Sequence, residues 1–197
     1  MKMKNCFLCN TVRFFAAIVV IAMFGGCAFG NRYIALQYQP VTTLSVAIKQ
    51  NVAIVKFTDT REKPELGEMR NSFTKTADVL AKDQDVGAWV ANALSDELIK
   101  AGYNVQKFSD AAPSDAVVVI SGSVPEAYVK MYMTYIGTVR VSVTVTKSGV
   151  VVLNKEYIGR AGGLALLCST GDYENMLKRA LQDIMMKMTP DIAKAIG

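Results

Sequence analysis

Thr138-Val139-Arg140-Val141-Ser142-Val143-Thr144-Val145-Thr146 alternates without a break. The four valines face one way, and Arg140, Ser142, Thr144 and Thr146 face the other. A period of two with one apolar and one polar side predicts a strand with one buried and one wet face, the habit of antiparallel sheets. Lys147-Ser148-Gly149 has the composition of a hairpin turn, and Val150 to Ile158 is expected to pair back. Such a sheet needs cover on its apolar face, and the flanking sequence supplies it.

From Asp85 the period changes. Val86, Trp89, Val90, Ala93, Leu94, Leu98 and Ala101 recur at three- and four-residue spacing, which predicts a helix. Asp85 is placed to cap its start and Gly102 its end. A second apolar stripe, Tyr173, Met176, Leu177, Ala180, Leu181, Ile184 and Met188, predicts a last helix from Asp172 to about Met188. Pro190 is expected to end or kink it before a short helical tail.

The remaining segments read as strands and loops. Tyr33 to Gln39 alternates up to Pro40, Val46 to Thr58 is rich in β-branched residues, and Tyr103 to Phe108 and Ala116 to Ser123 are short and apolar. Phe73 to Leu80 is a further short strand. A charged loop carries Glu62, Lys63, Glu65, Glu68 and Arg70. Gly159 to Ser169 reads as a loop with an apolar patch at Leu164 to Leu167. The order of elements predicts an α+β fold: a two-layer sandwich, mostly antiparallel sheet, with two main helices packed on one face.

The start of the chain is of another kind. Lys2, Lys4 and Arg13 precede an apolar run from Phe14 to Phe24, and Gly25-Gly26-Cys27 closes it. A basic start, a short apolar core and a small-residue exit describe a secretory signal, and the run is too short to span a bilayer. The cysteine at the exit resembles the lipobox of bacterial lipoproteins, with Phe24 and Gly25 in place of the favoured Leu and Ala or Ser. The resemblance implies a signal peptide at residues 1–26, lipid on Cys27 with palmitate among its acyl chains, and a short tether at 27–32. It also implies a single periplasmic domain at 33–197. Ala28, where an Asp would mark inner-membrane retention, implies the outer membrane.

The chain has 197 residues and a formal charge of +5. Removing the three cations of the signal from the 22 basic residues leaves 19 against 17 acidic ones, or +2. The basic balance is thus mostly a property of the signal and gives no footprint for nucleic acid. Of the four cysteines, Cys6 and Cys9 fall in the signal and Cys27 is the lipid site. Cys168 then stands alone, without a disulfide partner, and is either a reactive thiol or, the plainer reading, a small half-buried apolar residue. There is no histidine, which removes His-based triads and His-liganded metal sites. No cofactor and no metal centre are expected.

The body resembles the YajG-like family of small outer-membrane lipoproteins. The resemblance rests on Ile34-Ala35-Leu36-Gln37-Tyr38-Gln39-Pro40, on Val52 to Arg61 ending Phe57-Thr58-Asp59-Thr60-Arg61, on Leu66-Gly67, and on Glu97-Leu98-Ile99-Lys100-Ala101-Gly102-Tyr103 before a helix near the C-terminus. It implies an anchored domain of the cell envelope without catalysis, and it brings no catalytic residues.

Candidate sites are few. Asp59 and Arg61 form either a recognition pair or, the plainer reading, a salt bridge and turn cap at a strand end. Tyr128, Met131, Tyr132 and Tyr135 are either a partner surface or a strand face covered by the last helix. Asp59 and Glu126 are the acids to inspect for a hydrolase using paired carboxylates. The expectation is a non-enzymatic lipoprotein that binds another envelope protein or polymer, or serves as an accessory to a transport or cell-wall synthesis complex.

Overall fold

The computed structural model describes residues 30–46, 50–71, 74–82, 85–164 and 169–197. The signal segment, Cys27, Cys168 and most of the Leu164 to Leu167 patch lie outside these residues.

The described strands are β1 (Arg32–Ile34), β2 (Asn51–Val55), β3 (Thr58–Asp59), β4 (Gly67–Asn71), β5 (Thr74–Ala81), β6 (Asn104–Phe108), β7 (Val118–Met131), β8 (Thr134–Lys147) and β9 (Val150–Leu164). The helices are α1 (Val86–Ala101) and α2 (Thr170–Ile196). The fold is α+β, as expected. Antiparallel β7–β8–β9 is its centre, and β4 runs antiparallel to β5. Along its other edge β7 meets β2, β3 and β4 in succession, all parallel to it, with β6 beside β2. β1 is parallel to β5.

The alternation that opens the sequence reading holds to the residue. Val139, Val141, Val143 and Val145 are fully buried, and the polar residues between them face outward. The turn is made by Ser148 and Gly149, both with positive φ, as a tight two-residue hairpin requires. Gly159 on β9 lies so close to α2 that a Cβ there would stand 1.9 Å from the Ala180 carbonyl oxygen. A residue without a side chain is what lets helix and sheet touch here.

Helix α1 begins at Asp85, whose carboxylate accepts from Ala88 N at 2.9 Å, and ends at Gly102. Hydrogen bonds from Ala88 and Lys56 hold the Asp85 carboxyl below its usual range, although burial pushes the other way. Helix α2 begins with a capping box between Ser169 and Asp172. It lays Tyr173, Leu177, Leu181, Ile184 and Met188 on the same sheet face. Tyr173 meets Tyr135 edge-on, with ring centroids 5.2 Å apart.

Several expected boundaries are corrected. α2 does not end at Pro190 but runs through it, because Met188, Ile192 and Ile196 continue the buried stripe at four-residue spacing. Lys147 Nζ donates to the Ile196 carbonyl at 2.7 Å and closes the helix end. Gly159 to Leu164 is strand rather than loop, and Gly159 and Gly163 face α2. Ala116 to Ser123 is not a short strand of its own: from Val118 it opens β7, which continues to Met131 through a register shift between Ser123 and Glu126. Pro125, which lacks an N–H, sits at that bulge. The strand expected within Val46 to Thr58 is Asn51–Val55, with Thr58 falling in β3. The charged loop gives way to β4 at Gly67.

The largest correction concerns Tyr33 to Gln39. The strand is only Arg32–Ile34. The chain then leaves the sheet and crosses the helices as a strap, fastened by side chains rather than by a strand. Ala35 N donates to Glu174 Oε1 at 2.9 Å, the Trp89 indole N–H to Gln37 O at 3.2 Å, and Gln182 Nε2 to Gln39 O at 2.9 Å. Lys100 Nζ reaches Pro40 O at 3.1 Å. Glu97, fully buried on α1, accepts from Val41 N at 2.7 Å, Thr42 N at 2.8 Å and the Tyr38 hydroxyl. A buried carboxylate is tolerable when such donors surround it. Burial, and then Glu97 itself, push the Tyr38 hydroxyl far above its ordinary pKa.

Candidate functional site: the outer face of the sheet

With both helices on one face, the other face of β7–β8–β9 is open. Its side chains follow from strand register. Glu126 stands opposite Arg140, Tyr128 opposite Thr138, and Ser123 opposite Ser142, which in turn faces Glu156. Arg140 is the centre of a ladder: it donates to Glu156 at 2.9 Å and lies 3.4 Å from Glu126. Opposite charges across strands are the expected stabilising pairs of a wet face.

Beside this ladder lies an open cleft of about 400 Å³, lined by Arg61, Glu65, Glu126, Tyr128 and Arg140 among others. Tyr128 is half-buried in its wall. Burial, helped by Glu68 and Glu65, raises its phenol pKa, so it is a neutral hydrogen-bonding group at physiological pH. Further along the face a polar trough of about 610 Å³ is lined by Ser121, Ser123, Ser142, Thr144, Lys56 and Asp110. Hydroxyls, one phenol and paired charges suit the binding of a polar partner by hydrogen bonds.

The expected site residues fall in three places. Asp59 and Arg61 are together: Arg61 Nε donates to Oδ1 at 2.9 Å and a terminal nitrogen to Oδ2 at 2.8 Å. The Arg61 backbone N–H also donates to Oδ1, and the second terminal nitrogen reaches Pro64 O at 3.2 Å. Its side chain is only 9% exposed. The pair is a clasp for the loop after β3, the plainer of its two readings. Tyr128 stands in the cleft. Met131 and Tyr135 are buried beneath α2, on the strand face that the helix covers. Tyr132 stands apart, 69% exposed at the β7–β8 turn, with the Arg70 guanidinium 6.0 Å from its ring centroid.

Asp59 and Glu126 are both matched with arginines, Arg61 and Arg140. Among the described residues no group of three or more His, Cys, Asp or Glu side chains is placed to hold a metal ion. No described helix is long and apolar enough to cross a membrane.

Two features escaped the sequence reading. Glu97 occupies a position of the apolar stripe of α1, between Leu94 and Leu98, and an acid in such a place is a legible sign of a buried clasp. The ladder through Arg140 was visible only as polar residues on a wet face, because its acids come from two other strands.

No family model matches the chain, and no curated protein matches it in sequence. Among solved structures the fold is similar to that of a Xanthomonas campestris protein of the family DUF330, with TM-score 0.60 and 9% identity over 83% of this chain and 95% of that one. A second structure, of an uncharacterised protein, gives TM-score 0.51 and 9% identity, covering 83% and 99%. A Neisseria meningitidis lipoprotein matches at TM-score 0.42 and 14% identity over 74% and 99%, too distant to carry weight. At these identities the likeness is one of fold.

Proposed function

We propose that this chain is a non-catalytic lipoprotein of the bacterial envelope, similar to the YajG-like family, anchored through lipid on Cys27 at the periplasmic side of the outer membrane. It binds another envelope protein or polymer through the outer face of its sheet. The observation that carries this reading is the face itself: a cleft and a hydroxyl-lined trough side by side on rigid strands. Its two inspected acids are matched with arginines, an arrangement that suits recognition better than proton transfer. The Gly25-Gly26-Cys27 exit supports the anchor.

The test is capture from envelope extract with the wild type and Cys27→Ser side by side, with mass spectrometry of the bait's N-terminus and of what it retains. A diacyl or triacyl mass on Cys27, with a partner or polymer retained by the wild type and lost on Arg140→Ala, is the expected result. An N-terminus beginning beyond Cys27 and unmodified would overturn the anchor. Retention unaffected by changes in the cleft would overturn the assignment of the binding face.

A further inference from the structure

One end of the sheet gathers exposed apolar side chains. Tyr132 and Met133, at 69% and 87% exposure, form the β7–β8 turn. Leu164, 74% exposed, ends β9 directly opposite Thr134, and half-exposed Ile136 stands two residues further along β8. Isolated exposed apolar residues are ordinary, but four at one tip are not scattered. Basic residues fringe them: Arg70 is set against the Tyr132 ring, and exposed Lys130 is opposite Ile136. The nearby acids are engaged, Glu68 with Lys75 at 3.6 Å and with Arg70 itself at 3.9 Å, and Asp172 in the capping box of α2.

The register shows that β1 begins at the same end. β4 runs parallel to β7, so the end of β4 and the start of β5 lie beside the β7–β8 turn. β5 leads away from that tip, and β1 is parallel to β5, with Arg32 opposite Val79. Arg32 is therefore the tip-side end of β1. Cys27 is five positions before Arg32, as Thr74 is five positions before Val79. At about 3.3 Å per extended residue, lipid on Cys27 is within reach of the tip.

We propose that this tip, Tyr132, Met133, Ile136 and Leu164 with Arg70 and Lys130, seats against the phospholipid surface to which the chain is anchored. An aromatic ring, a flexible thioether and aliphatic side chains suit the boundary between acyl chains and headgroups, and the cations suit the phosphates. The inference rests on the lipid-anchored reading and adds an orientation to it. The Ser148–Gly149 turn at the far end of β8 points away from the membrane, and the outer face of the sheet stands upright and open to partners.

Full-length Met133→Cys and Ser148→Cys variants, each reconstituted into phosphatidylethanolamine–phosphatidylglycerol vesicles, test the orientation. Reconstitution at fewer than one chain per vesicle keeps a second copy from covering the tip. Reaction with a membrane-impermeant maleimide is followed by peptide mass spectrometry, which reads each thiol separately, and is scaled to the rate in urea. The expected result is severalfold slower labelling at position 133 than at position 148. Equal labelling overturns the tip contact, and a lipid mass on Cys27 in the same sample leaves the anchor standing. Protection of position 133 that appears only at high chain density also overturns it, and assigns the tip to contact between copies.

Discussion

Glu97 accepts a hydrogen bond from the backbone N–H of Thr42, 55 residues earlier in the chain, at 2.8 Å inside the protein. With Val41 N and the Tyr38 hydroxyl on the same carboxylate, this side chain supplies part of what a neighbouring strand would otherwise supply to the strap. Glu97→Ala leaves two backbone donors without an acceptor, each unsatisfied buried group costing about 1–3 kcal/mol. A loss of about 3 kcal/mol in urea unfolding is expected, with a smaller loss for Glu97→Gln, which keeps one acceptor oxygen. A midpoint unchanged in Glu97→Ala would show that the strap holds without its clasp.

Gly159 and Gly162 lie three residues apart on β9 and are expected to respond oppositely to alanine. A Cβ at Gly159 meets Ala180 O at 1.9 Å, whereas at Gly162 the nearest atom is 3.8 Å away. Gly159→Ala forces α2 off the sheet and is expected to cost about 3 kcal/mol or to leave the protein insoluble. Gly162→Ala is expected to stay within about 0.5 kcal/mol of wild type. Thermal melting of the two variants decides it; similar melting temperatures would contradict the close approach of helix and sheet.

Asp191 on α2 accepts from Lys155 Nζ and from the Tyr157 hydroxyl, both at 2.7 Å. The Lys155 hydrogen bond first, then that of Tyr157, holds its carboxyl below the usual range. The stabilisation is therefore fully present above the unfolded-state pKa of about 3.9 and fades as pH falls through the lower folded value. The stability gap between wild type and Asp191→Asn should be level above about pH 5 and close on further acidification. The side chain is 38% exposed, so the gap should be below about 1 kcal/mol and shrink in salt. Urea midpoints across the acid range test this, and a gap that widens on acidification would contradict the sign.

Tyr128 and Arg140 belong to the proposed binding face rather than to the core. Their double replacement by alanine is expected to abolish capture of the envelope partner while changing stability by about 1 kcal/mol or less, since the ion pairs of Arg140 are solvent-exposed. Capture and melting measured on the same preparation separate the two effects. Loss of folding would return these residues to a structural role.

How much of this was legible beforehand depends on what each pattern measures. Val139 to Val145 and the stripe of α1 announced their elements, because burial on one side is recorded directly in residue type. Ile34, Leu36 and Tyr38 alternate just as clearly, yet only Ile34 is in a strand. Alternation reports that one side is covered; it does not report what satisfies the backbone, and here side chains from both helices do so. Gly159 and Gly163 looked like loop residues, because sequence cannot distinguish glycine needed for a turn from glycine lying under a helix. Met131 and Tyr135 were candidates by composition, and only the register of β7 and β8 placed them inward. Asp59 and Arg61, two residues apart, were legible as a local clasp because both partners sit in one short stretch.

The strap carries a consequence for the order in which the molecule can be assembled. Its fastenings include Glu174 and Gln182, separated from Ala35 and Gln39 by 139 and 143 residues. Synthesis delivers the N-terminal end first; α1 offers Trp89, Glu97 and Lys100 to the strap midway, but these other two fastenings wait until nearly the whole chain has followed. Contacts of such sequence separation form slowly and late. The strap is therefore among the last segments to be fully fixed, and the body closes over it only once its C-terminal helix has arrived.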